Sequence, residues 1–141
     1  MNNFAPKIIF FCCNWNAYAR ADLVDDSNLP DKLNSRTIRT MCSGRIEPTF
    51  ILQAFDQGAD GVMIAGCPAG DCHYNSGNYK ARRRVAMLHN MLSQFGIESK
   101  RLRLEWIPAS ETSKFNSTMD GFIDEVTKLG PLTLNRKVRA N

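Results

Sequence analysis

No stretch of this 141-residue chain is apolar over the ~20 residues that a membrane-spanning helix requires. The longest run near the start, Ile8-Ile9-Phe10-Phe11-Cys12-Cys13, is far shorter, and it lacks the basic leader and cleavage site of a signal peptide. It reads as a strand of a cytoplasmic protein without a membrane partner. Repeats and low-complexity tracts are absent too. So is the C-x-x-C redox pair: three residues after Cys12 stands Trp15, and three after Cys13 stands Asn16. A cysteine phosphatase loop needs arginine six residues beyond its nucleophile, and those positions hold Tyr18, Ala19, Pro48, His73 and Asn78. Nucleophilic thiols need an activating neighbour, so the familiar thiol enzymes find no footing, and no substrate pocket is recognisable.

Charge of one sign is scarcely in excess. The net charge of +4 arises from 18 Lys and Arg against 14 Asp and Glu, with much of the surplus in Lys80, Arg82, Arg83 and Arg84 and in Arg136, Lys137 and Arg139. Nucleic-acid binders concentrate more positive charge among aromatic platforms, so no nucleic-acid partner is expected. The internal basic cluster falls in the first turns of a predicted helix, where positive charge opposes the helix dipole. It is either a solvated face or the neighbour of an anion.

What is present fits one soluble domain. The chain is long enough to bury a single core without disulfide staples, and 43% hydrophobic with 23% charged residues is an ordinary globular composition. Apolar runs at Lys7–Cys12, Thr37–Met41, Gly61–Ala65 and Leu102–Ile107 alternate with segments of helical character. That alternation predicts βαβ units: a small three-layer α/β domain with a four-stranded parallel sheet. Glu47-Pro48 opens a helix bearing Ile51, Ala54 and Phe55 and stopping at Gly58. Val85, Leu88, Met91, Leu92 and Phe95 mark a second helix that runs to Gly96. Phe115, Met119, Phe122, Ile123, Val126 and Leu129 mark a third, before Gly130-Pro131. Ala17–Val24 reads as a short helix followed by loop. The domain spans residues 1–131, and 132–141 forms a tail that a partner orders; Phe4, Leu132 and Leu134 suggest docking by both termini.

Five cysteines cannot all pair, and clustered thiols in a reducing compartment serve metal or redox chemistry. Cys12 and Cys13 close the first strand, Cys42 the second and Cys67 the third, with Cys72 just beyond in "GCPAGDCHY". In a parallel sheet these ends share one edge, where ligands bind. All five thiols therefore converge on one site. Buried hydrophobes are the plain alternative, which suits Cys12 in its apolar run and suits Cys72 in a polar loop badly. Structural zinc sites show two close pairs, whereas an iron–sulfur cluster accepts thiolates from distant segments with glycine nearby, here Gly44, Gly66 and Gly70. Plant-type ferredoxin spacing fails at Asn75. His73 and His89 read as surface or packing residues, with His73 a hydrogen-bond donor near the sulfurs as the alternative. Trp15 and Trp106 read as packing anchors.

The strings "FFCCNWNAYARADL", "MCSGR", "GDCHYNSGNYK" and "RLRLEWIPASETSKF" resemble the delta subunit of the methyl-viologen-reducing hydrogenase family, from about Ile8 to Pro131. The resemblance implies an electron-transfer subunit with a [2Fe–2S] cluster, relaying electrons between a hydrogenase or formate dehydrogenase and the flavin subunit of heterodisulfide reductase. The associated metabolism is flavin-based electron bifurcation of the methanogenesis type. The ligand set expected from it is Cys13, Cys42, Cys67 and Cys72. Adjacent strand residues point to opposite faces, and Cys13 is nearer the strand tip than Cys12, which is held in reserve. The chain departs from the family pattern at Asn16, where cysteine is usual, at Arg20 in place of glycine, and in "GCPAGDCHY" for "GCHPGDCHY". Four thiols remain without position 16. A cluster-free or zinc-bound adaptor joining the same partners is the alternative that Asn16 favours.

Overall fold

A strand with every side chain buried must be covered on both faces, and β3 (Gly61–Gly66) is such a strand. The computed structural model of the chain describes residues 4–13, 34–40, 42–66, 77–107 and 112–133. In it β3 pairs in parallel with β1 (Lys7–Cys13) on one side and β4 (Leu102–Trp106) on the other, and β1 pairs in parallel with β2 (Asn34–Thr40). The order is β2-β1-β3-β4. The expected α/β architecture with a parallel sheet is therefore what the chain adopts. β2 starts earlier than its apolar pattern announced, because Asn34, Ser35 and Arg36 continue the ladder opposite Lys7, Ile8 and Ile9. The expected Ala17–Val24 helix lies outside the described residues.

Strand alternation divides the apolar residues between two cores. Phe11, Val62, Ile64 and Leu102 face α1 (Pro48–Asp56) and α2 (Gly77–Gln94), where Ile51, Phe55, Val85, Leu88 and Leu92 close the first core. Ile8, Phe10, Cys12, Met63 and Ala65 face α3 (Thr112–Leu129), which contributes Met119, Phe122 and Val126 to the second. No helix among the described residues is long and apolar enough to cross a membrane.

α1 begins with Pro48 in its first turn and ends in a Schellman motif: Gly58, at φ 108°, donates its N–H to Phe55 O, and Ala59 donates to Ala54 O. α2 ends the same way at Gly96, with the Ile97 N–H on Leu92 O. This turn corrects one expectation. Phe95, counted in the apolar face of the helix, stays 59% exposed, since the helix stops at Gln94 and the reversal at Gly96 brings Ile97 into the core instead.

The amino edge of the sheet is held by buried polar groups. Asp60 accepts the Lys7 N–H on Oδ2 and the Leu132 N–H on Oδ1, both at 2.9 Å. Arg101, 1% exposed, donates to Asp60 O at 3.0 Å, to Leu129 O and to Glu98 Oε2. Leu132, assigned from the sequence to the tail, thus has its N–H on Asp60 and packs against the first core.

Two outcomes test this edge. Asp60→Asn puts an NH2 group against one of two backbone N–H donors, and the unsatisfied donor is expected to cost about 1–3 kcal/mol. A lower urea midpoint at unchanged slope would record it; an unchanged midpoint would remove the clamp. At Glu98, the hydrogen bond from Arg101 outweighs burial and holds the carboxyl below its ordinary value. A lowered folded value stabilises above the unfolded pKa and is lost as pH falls through the folded one. Glu98→Gln is therefore expected to weaken the fold at neutral pH, by under about 1 kcal/mol given solvent screening. Its urea midpoint should converge with that of the parent in acid.

Candidate metal centre

In a doubly wound sheet, ligands sit outside the carboxyl ends of the strands, where the crossover direction reverses. With the order β2-β1-β3-β4, the chain leaves β1 in one direction and returns past it to β3, so the reversal lies between β1 and β3. The tips there are Cys12 and Cys13 on β1 and Gly66 on β3, which directly precedes Cys67. Thr40, at the end of β2, donates its hydroxyl to Cys12 O at 3.3 Å and ties a third tip to the same place.

Cys42 opens the 3-10 turn Ser43–Arg45 just after β2. The residue is 5% exposed, and its Sγ accepts the Gly44 N–H at 3.4 Å. An amide aimed at sulfur favours negative charge on that atom, as a ligating thiolate requires. The turn is pressed against the start of α2. A Cβ on Gly44 would stand 2.7 Å from Gly77 Cα and 2.9 Å from Gly77 O, so only glycine fits at this approach. Gly66 is nearly as confined: its Cβ would stand 3.1 Å from Ser43 Oγ and from the Trp106 ring. Arg84, on α2, fastens the turn by donating to Gly44 O at 2.6 Å and Ile46 O at 3.1 Å.

Of the expected ligands, Cys42 is therefore buried with an amide on its sulfur. Cys13 ends β1 in register with Thr40, but its side chain, together with Cys67, Cys72, Asn16, His73 and Trp15, lies outside the described residues. Gly66 and Gly77, which stand on either side of residues 67–76, are both described and both touch the Cys42 turn. Cys12 is wholly buried in the α3-side core with Met63, Ile107 and Met119. Among the described residues, no three His, Cys, Asp or Glu side chains stand together as a metal site.

The basic cluster separates into two kinds of residue. Arg84 is committed to backbone carbonyls of the turn, while Lys80, Arg82 and Arg83 are exposed. His89 Nε2 meets Leu102 O at 2.7 Å and links α2 to β4, a packing role. The contributions of Arg84 and the buried Ser43 were not read from the sequence. Nothing in an isolated "SGR" announces which carbonyls will need a donor. Gly77, in "SGNYK", was the available signal for the close approach.

The family described as "Methyl-viologen-reducing hydrogenase, delta subunit" matches residues 8–130. The chain is 53% identical over 132 residues to an iron-sulfur subunit of the vhc F420-non-reducing hydrogenase of Methanococcus voltae, covering 94% of this chain and 92% of that one. It is 46% identical to an iron-sulfur subunit of the F420-non-reducing hydrogenase of Archaeoglobus profundus, over 93% of this chain and 96% of the relative. It is also 44% identical, over 90% of its own length, to a stretch making up 16% of one subunit of the ferredoxin/F(420)H(2)-dependent CoB-CoM heterodisulfide reductase of Methanosarcina acetivorans.

Gly44→Ala is expected to force the turn away from Gly77 and to cost about 1–3 kcal/mol, as overpacking against backbone does. Gly121→Ala in α3, whose Cβ would meet nothing within 4 Å, is the comparison and should gain about 0.5–1 kcal/mol. Thermal unfolding of the two variants decides. Equal midpoints would show that the close approach does not constrain the site.

Proposed function

This chain belongs to the methyl-viologen-reducing hydrogenase delta-subunit family, and on that premise we propose that it is a cytoplasmic electron-transfer subunit holding an iron–sulfur cluster at the carboxyl edge of its sheet. We assign the cluster as [2Fe–2S], with Cys13, Cys42, Cys67 and Cys72 as ligands. Its partners are a hydrogenase or formate dehydrogenase on one side and the flavin subunit of a heterodisulfide reductase on the other, within an electron-bifurcating assembly. The names of relatives as iron-sulfur subunits of hydrogenases, and of another as a heterodisulfide reductase subunit, support this reading.

The observation that carries the assignment is Cys42: buried, with the Gly44 N–H on its sulfur, in a turn pressed against Gly66 and Gly77, on either side of residues 67–76 with Cys67 and Cys72. A bound cluster supplies one-electron transfer without bond formation in the protein. The chain's own residues prepare for it. Cys42 offers the sulfur, the Gly44 amide stabilises charge there, and Arg84 fixes the carbonyls so that this amide keeps its direction. The glycine contacts keep side chains out of the space at the strand tips. Cys12 is packed in the core and is left out of the ligand set. A second reading, a zinc-bound or cluster-free adaptor between the same partners, is favoured by Asn16 alone.

Iron and acid-labile sulfide analysis of anaerobically purified complex, with EPR after dithionite reduction, tests the assignment. About two irons and two sulfides per chain are expected, the content of one [2Fe–2S] centre. The signal should be lost in Cys42→Ser and Cys67→Ser and kept in Cys12→Ser. Folded complex without iron would sink the electron carrier, and zinc in its place would establish the adaptor.

A further inference from the structure

Among the described residues β2 is an edge strand, and α1, seated over β1 and β3 through Ile51 and Phe55, does not cover it. Between them on the first core's face lies a cleft of about 930 Å³. Its floor is apolar: Ile9 and Phe11 of β1, with Ile38 of β2 directly opposite Phe11 in the register. Ile38 is 42% exposed and Phe50, on the α1 wall, 47%. Large apolar side chains left open side by side mark a binding surface more often than chance. Lys7 and Arg36 line the same cleft, both exposed, and among the described residues no acidic side chain does.

We infer that this cleft is a docking site for an apolar segment of a partner protein whose flank carries carboxylates, independently of whether the chain holds a cluster. Charge decides the occupant. The chain's own tail carries Arg136, Lys137 and Arg139, which would meet Lys7 and Arg36 with like charge. A second copy docking by the same patch would set those cations against themselves, since a two-fold contact is self-complementary. An acidic, apolar segment satisfies both the floor and the rim, with Phe50 as the anchor and Arg36 fixing orientation.

The test places the photo-crosslinking residue p-benzoylphenylalanine at position 50 of the full chain within its purified complex, and maps the linked peptide by mass spectrometry. A link to another protein of the complex, in a segment combining apolar residues with Asp or Glu, is the expected result. A link to residues 134–141 of the same chain, to a second copy, or to no other component of an intact complex would overturn the proposal. Arg36→Glu should weaken assembly about tenfold at low salt and reduce its salt dependence, whereas Phe95→Glu, at an exposed site on another part of the surface, should leave it unchanged. Equal assembly of Arg36→Glu and parent would also overturn it. Circular dichroism and iron content measured on each variant separate lost docking from lost fold or lost cluster.

Discussion

Parallel pairing is the constraint on which the rest of the molecule depends. Strands that run in one direction cannot be joined by tight turns, and α1 and α2, the described links, return over one face of the sheet. The faces must then be apolar throughout, which is why β3 has no exposed position and why two separate cores exist. The same constraint collects every strand tip on one edge. Residues as distant in sequence as Cys12 and Thr40, Ser43 and Gly66, and Gly44 and Gly77 meet there.

The two edges of the sheet are built from different materials. At the amino edge, a buried carboxylate and a buried guanidinium are tied to backbone N–H and C=O groups, so their polar atoms are matched inside the protein. At the carboxyl edge, backbone meets backbone across glycine, and the Arg84 guanidinium serves the turn that bears Cys42. The first arrangement fixes the fold. The second leaves sulfur and amide groups at the strand tips, which is a site's requirement more than a core's.

What the sequence disclosed follows from how local each signal is. The stops at Gly58, Gly96 and Gly130 were legible because a helix that reverses through positive φ needs glycine there. The placing of Cys42 at the edge was legible because it follows a strand. Arg84 and Asp60 were not, since their partners lie 40 and 53 residues away in sequence and no spacing rule connects a side chain to a distant carbonyl or amide. Phe95 misled for a related reason: helical periodicity continues through a residue that the cap removes from the helix. Asn34 to Arg36 join β2 through pairing with β1, not through any apolar pattern of their own.

Asp60 bears on how such a unit is built into larger chains. Its two oxygens hold the start of β1 and the residue after Pro131, so Lys7 and Leu132 are fixed together at the amino edge. A polypeptide extended at either end, as in the reductase of which a matching stretch is a small part, would continue from that side of the sheet. The carboxyl edge, with Cys42 and the tips of β1 and β3, lies at the opposite ends of the strands. Holding Lys7 and Leu132 together at the amino edge suits a fused unit and a free-standing one alike, because the clamp on Asp60 lies at the ends of the strands opposite Cys42.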